Sequence, residues 1–318
     1  MKLVVITGCL GFIGSHLTKK CLDLGWKVYG IDSETYASNS DLIEVFCYEY
    51  GDNFTYIKQD IADLKYLPDC DYVINTAAET HVGNSIIDSE DFLRSNINGV
   101  QNLLDLIKAK PNNVVQRPIL FHFSTDEVYG DITEGEHTEG DHLNPSNPYS
   151  ASKAAADMLI KAWARTYGLE YIILRPTNNY GTYQYPEKLI PLSVKLLQRD
   201  KKIRLHDEGR PVRNWLHAED TANAVITIIN KGKVNEIYNV AGGFEQENRD
   251  TVKAIIKAFN GTDKNWQEYV DFGYKRLGQD VRYALNDDKL RSLGWKPEKI
   301  FNEEVPNLVQ FYKDNFKW

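Results

Sequence analysis

At 318 residues, 42% of them hydrophobic, the chain has room for one large domain or two modest ones around a sizeable core. Its formal net charge of -8, from 45 acidic and 37 basic residues, offers no field to attract nucleic acid or an anionic membrane surface, and neither partner is expected. Cys9, Cys21, Cys47 and Cys70 all fall in the first quarter without C-x-x-C spacing, which reads as reduced structural thiols of a cytoplasmic protein.

From the N-terminus, Met1-Lys2 leads straight into the apolar run Leu3 to Ile6, too short for a signal sequence or a membrane span. Further short apolar runs follow at Val28 to Ile31, Phe54 to Ile57, Tyr72 to Ile74, Ile119 to Phe123 and Tyr171 to Leu174. Helical stretches near 13–24, 90–109 and 150–167 lie between them, and the alternation predicts an α/β fold, a doubly wound parallel sheet with helices on both faces. Beyond Arg175, turn clusters at Asn178-Asn179, Asp207 to Pro211 and Gly242-Gly243 separate shorter elements, as in a smaller α+β domain. Ala218 to Asn230 reads as a helix and Glu236 to Val240 as a strand that return to the large sheet. The expected division is therefore 1–176 with 218–240 for one domain, and 177–217 with 241–318 for the other.

The run Gly8-Cys9-Leu10-Gly11-Phe12-Ile13-Gly14 follows the first strand and opens the first helix, the context in which a glycine fingerprint marks a Rossmann dinucleotide site. Gly8 allows the tight turn, Gly11 the approach of backbone amides to a pyrophosphate, and Gly14 close packing of helix on sheet. The second strand ends at Asp32, where a carboxylate accepts from ribose hydroxyls and repels a 2'-phosphate. Ser33-Glu34 supplies no arginine, so NAD is expected rather than NADP. Asp60-Ile61, after the third strand, is a candidate adenine contact, with a helix cap as the alternative for Asp60.

Tyr149 and Lys153 stand one helical turn apart on one face, so the ammonium is expected to lower the phenol from about 10 toward neutrality. The phenolate would then take a proton from a substrate hydroxyl while hydride leaves the same carbon. This G-x-x-G-x-x-G spacing followed by Y-x-x-x-K resembles the extended short-chain dehydrogenase/reductase superfamily over essentially the whole chain. The resemblance implies that Thr125 hydrogen-bonds the reacting oxygen and that Ala77 lies beside the cofactor.

Within that superfamily, Thr125-Asp126-Glu127 resembles the nucleotide-sugar 4,6-dehydratases, most closely their dTDP-glucose branch. The implied chemistry is oxidation at C4, removal of the C5 proton by Glu127, proton donation by Asp126 to the departing C6 hydroxyl, and hydride return to C6. Adjacent carboxyls favour opposite protonation states because two nearby carboxylates resist ionising together. By the same resemblance His81, Ser85, Asn179, Lys188, Leu189, Arg213, Asn239, Arg276 and Gln279 are candidate substrate residues, with Arg213 and Arg276 as diphosphate clamps.

Gly83-Asn84, Asn214 and Gln279 depart from the family pattern, which leaves the nucleotide open between dTDP-glucose and UDP-glucose. The seven histidines show no metal-ligand spacing, so no metal is expected. A homodimer through a four-helix bundle of the 90–109 and 150–167 helices is implied. The rival readings are a 4-epimerase, a dehydratase that also epimerises C5, and a catalytically silent NAD-binding regulator. Intact Thr125, Tyr149 and Lys153 argue against the last.

Overall fold

The computed structural model describes residues 1–110, 117–274 and 280–315. Twelve strands are found among them: β1 (Leu3–Thr7), β2 (Lys27–Asp32), β3 (Phe54–Lys58), β4 (Tyr72–Asn75), β5 (Ile119–Phe123), β6 (Tyr171–Pro176), β7 (Asn178–Tyr180), β8 (Ile203–His206), β9 (Val212–His217), β10 (Glu236–Val240), β11 (Glu245–Glu247) and β12 (Val270–Tyr274). Seven of them form one sheet in the order β10-β6-β5-β4-β1-β2-β3, with every pairing parallel. The chain winds outward from β1 through β2 to β3, then crosses to β4 and winds the other way. A crevice therefore opens between the carboxyl ends of β1 and β4, where open α/β sheets bind ligands.

Both faces of this sheet are covered, because successive side chains of a strand point to opposite sides. Val4 and Ile6 of β1 enter one core with Leu17, Val28 and Ile74, whereas Val5 enters the other with Ile31, Val73, Leu103 and Ile173. That double burial explains why the strands read as continuous apolar runs. The helix Pro148–Tyr167 starts at a reciprocal capping box of Asn147 and Ser150 with Pro148 in its first turn, and ends at Gly168 with φ +68°.

The strand Glu236–Val240 lies beside β6, as its apolar pattern predicts. Two other expectations are refined. The stretch near 90–109 is helical throughout, as expected, but not uniformly α: Glu90–Leu93 and Gly99–Ala109 are joined by a wider π-helical turn, Arg94–Asn98. The turn brings Asn96 into the interior, where its Oδ1 accepts from Glu79 N and its Nδ2 donates to Glu79 O and Ser152 Oγ.

The elements after Arg175 are also longer than their turn clusters suggest. Leu189–Gln198, Asn248–Asn260 and Phe301–Asp314 are full helices that share a third core with Tyr180, Trp215 and Val270. Lysines and acids on the outer faces of these helices mask the apolar stripe, such as Val252, Ile255 and Ile256. Around that core lie the sheet β11-β9-β7 and the pair β12-β8. No helix among the described residues is long and apolar enough to cross a membrane.

Candidate active site

The loop after β1 is shaped by three glycines with different physical duties. Gly8 adopts φ +71°, and a Cβ there would stand 2.7 Å from Ala77 N. At Gly14 a Cβ would come within 1.9 Å of Gly8 O, so only glycine lets the helix approach the loop. Gly11 is less crowded, meeting only Gly8 O at 3.2 Å. It opens the helix Phe12–Asp23 with no side-chain cap, leaving the first amides and the positive end of the helix for an anion.

Asp32 closes β2 and holds the neighbouring loops, its Oδ2 accepting from Leu10 N at 3.0 Å and its Oδ1 from Glu34 N and Ser38 Oγ. A cavity of about 290 Å³ runs from Gly11 and Asp32 past Thr125, Asp126 and Tyr149 to Asn179 and Lys188. Asp60 and Ile61 are not on its wall. Asp60 caps Ala62 N and pairs with Arg94 at 3.1 Å, while Ile61 packs under Gly99. Ala77 backs Gly8, with Thr76 and Ala78 facing the cavity on either side of it.

The carboxyl end of β5 carries the acids. Thr125 caps the short turn Asp126–Tyr129, accepting from Glu127 N at 3.3 Å and donating to Asp126 Oδ1 at 3.0 Å. Asp126 is 2% exposed and its Oδ2 has no partner. Burial, and then the neighbouring Glu127 carboxylate, push it up to about 7. Glu127 is only half-buried; its Oε2 accepts a long bond of 3.4 Å from Asn147 Nδ2, and the Tyr283 phenol oxygen lies 3.4 Å from the same atom. The two neighbours therefore sit in unlike surroundings, one dry and one partly wet.

Tyr149 is buried on the cavity wall, and burial, then Glu127, raise its phenol while Thr125 acts in the opposite direction. These surroundings hold the proton on the phenol, and the lowering expected from Lys153 is not what they produce. Lys153 itself is brought down to about 8 by burial, which the Asp157 charge opposes. Below it lies a dry ion pair: Arg175 donates to Asp157 Oδ2 from Nε at 3.1 Å and from Nη2 at 2.7 Å. The Arg175 guanidinium lies 4.6 Å from the centre of the Tyr129 ring.

Several candidate substrate residues have structural duties. Ser85 accepts from Tyr149 N at 3.2 Å and so anchors the start of the Tyr149 helix. His81 caps the helix Val82–Ile87 by accepting from Asn84 N. Asn239 is fully buried, receiving the Tyr129 hydroxyl and donating to His137 O and Asn286 O. Leu189 packs on the third core.

Asn179 and Lys188 do line the cavity, and Lys188 Nζ donates to Thr80 O. Arg213 lies back from the wall, donating to Val212 O and Asp280 O, with its guanidinium 4.9 Å from the Tyr283 ring centre. Arg276 and Gln279 lie outside the described residues. The sequence reading missed Asn96, Asn147, Asp157 and Arg175, and gave Tyr283 no role of its own although it closes the dehydratase-like segment that begins at Arg276. Only Asn147 carries a local signal, the cap before a proline, because the others act through partners distant in sequence.

The GDP-mannose 4,6 dehydratase family model matches residues 5–308. The chain is similar to a dTDP-glucose 4,6-dehydratase of Haemophilus influenzae, 38% identical over 339 residues and 99% of each chain. It is similar also to the low-salt glycan biosynthesis protein Agl12 of Haloferax volcanii, 36% identical over 97% of this chain and 98% of that one. Among solved structures it resembles DesIV, a dTDP-glucose 4,6-dehydratase from Streptomyces venezuelae with NAD and dTDP bound. There the TM-score is 0.91 at 35% identity, covering 99% of this chain and 98% of that one.

Proposed function

The chain belongs to the GDP-mannose 4,6 dehydratase family, and from that premise we propose that it is an NAD-dependent nucleotide-glucose 4,6-dehydratase, a hydro-lyase. The observation that carries the reading is the Asp126-Glu127 pair, held in unlike environments in the cleft that also holds the glycine loop and Tyr149. Neither an oxidoreductase nor an epimerase needs both acids there.

The residues present fit NAD. Gly11 leaves the helix amides uncapped for a pyrophosphate, and Asp32 on the wall carries no neighbouring arginine to receive a 2'-phosphate. Bound there, NAD would supply the hydride chemistry that oxidises C4 of the glucosyl unit and reduces C6. Tyr149 takes the C4 hydroxyl proton once the cofactor's cationic ring offsets the burial that keeps the phenol protonated. Thr125 bonds the same sugar oxygen.

The C4 ketone acidifies the C5 hydrogen, which Glu127 removes, while Asp126 gives its proton to the C6 hydroxyl and water departs. The proton on Glu127 then returns to C5, giving a 4-keto-6-deoxy sugar with no net redox change. Residues 1–176 with 218–240 hold the cofactor, and 177–217 with 241–318 the nucleotide sugar. Asn179 and Lys188, on the cavity wall, act on its diphosphate side.

Incubation with dTDP-glucose and UDP-glucose, followed by proton NMR, is the test. A new C6 methyl beside a C4 ketone is expected, and an intact hydroxymethyl group with both substrates would refute dehydration. The protein is further read as a cytoplasmic homodimer in which the helices Gly99–Ala109 and Pro148–Tyr167 of two copies form a four-helix bundle. Met158, exposed on the second of these helices, supports that pairing, and light scattering at a single-chain mass would exclude it.

A further inference from the structure

Beyond the acids named above, Glu127 has a neighbour that brings a second carboxyl group to it. Tyr283 is 2% exposed and donates its hydroxyl proton to Asp280 Oδ2, in a contact shared with Ser146 Oγ at 2.5 Å from the same oxygen. The phenol oxygen is also 3.4 Å from Glu127 Oε2, and the ring is held 4.9 Å from the Arg213 guanidinium. Burial first, then the Glu127 charge, keep this phenol protonated far above its ordinary range.

A hydroxyl has one proton and two lone pairs. With the proton committed to Asp280, the face toward Glu127 is an acceptor. It has nothing to accept while Glu127 is a carboxylate, but matches the O–H that appears when Glu127 becomes a carboxylic acid.

We propose that Tyr283, oriented by Asp280, is a positioning residue for elimination: its oxygen accepts a hydrogen bond from Glu127 after Glu127 has taken the C5 proton. The inference rests on the dehydratase reading and deepens it. In balance, the C5–H bond breaks and its electrons form the C5=C6 bond. The C6–O bond breaks, and the hydroxyl leaves as water with the proton of Asp126. The C5 proton stays on Glu127, facing Tyr283, until it returns.

The test is single turnover of dTDP-glucose, or of UDP-glucose if that is the substrate, by holoenzyme carrying Tyr283→Phe. Three signals are followed: absorbance of bound NADH, formation of the 4-keto-6-deoxy sugar, and deuterium incorporation at C5 from D2O. The expected result is hydride transfer from C4 within about threefold of wild type, with elimination and C5 deuteration slowed at least about 10-fold, so that NADH accumulates.

Elimination within about twofold of wild type would overturn the proposal, as would equal slowing of every step, which marks a structural role. Asp280→Asn turns an amide donor toward the phenol and frees its proton for Glu127. The same NADH accumulation is expected, and this variant decides the matter if Tyr283→Phe does not fold. Wild-type protein that forms no 4-keto-6-deoxy sugar from either substrate overturns the functional reading itself, and the role of Tyr283 with it.

Discussion

The two walls of the cleft are built on different principles. The cofactor wall is made largely of backbone: Gly8 and Gly14 are set by atoms of the loop itself and of Thr76-Ala77 just past the end of β4, and Asp32 ties the loop to the end of β2. The acid wall is made of side chains gathered from afar. Glu127 meets Asn147 and Tyr283, 20 and 156 residues away, and Lys153 stands over a pair in which Asp157 meets Arg175, 18 residues away. Local steric rules can be read in a short motif, whereas hydrogen-bond networks exist only once distant segments meet.

Four changes sharpen or break this contrast. The largest effect belongs to the acid wall, where Glu127→Gln should slow elimination by about 10²–10⁴-fold while C4 oxidation persists. Rapid mixing that follows NADH and product separately checks it, and full activity would remove Glu127 from its role. Next, Asp157→Asn leaves Arg175 dry and uncompensated, which should cost about 3–5 kcal/mol in urea unfolding. Because Asp157 opposes the fall of Lys153, its loss should also bring the high-pH limit of hydride transfer below about 8.

The glycines give a smaller but cleaner comparison. Gly14→Ala forces a clash with Gly8 O and should lower both stability, by about 1–3 kcal/mol, and NAD affinity. Gly11→Ala adds a methyl to a residue of the cavity wall at an ordinary φ of -73°, meeting only Gly8 O at 3.2 Å, so NAD affinity should fall with a smaller loss of stability than at Gly14. Calorimetry of NAD binding beside thermal unfolding separates the two, and identical losses would contradict the division of labour.

The mildest effect is on the pH profile. Asp126, raised to about 7, is a proton donor below that pH and loses the role as pH rises through it. Lys153, lowered to about 8, keeps its charge slightly further. Between the two, hydride transfer should outlast elimination and NADH should build up during turnover. A steady-state NADH level that is flat from pH 6 to 8.5 would break the assignment.

Much of the fold was legible because its signals are local. The six strands from Leu3–Thr7 to Tyr171–Pro176, buried on both faces, read directly as apolar runs. The turn Arg94–Asn98 did not, since its inward Asn96 is dictated by Glu79 and Ser152. Asn239 and Ser85 read as ligand residues because sequence gives chemical type but not direction; folded, they hold Tyr129 and the start of the Tyr149 helix.

By itself, the sequence determined the winding of the sheet, the glycine loop and the adjacency of Thr125, Asp126 and Glu127, because each depends on neighbours along the chain. Only the tertiary structure decided which of the two carboxyls is dry, why Tyr149 holds its proton, and that Tyr283 faces Glu127. Those properties follow from desolvation and charge, which depend on what surrounds a group in space rather than on what precedes it.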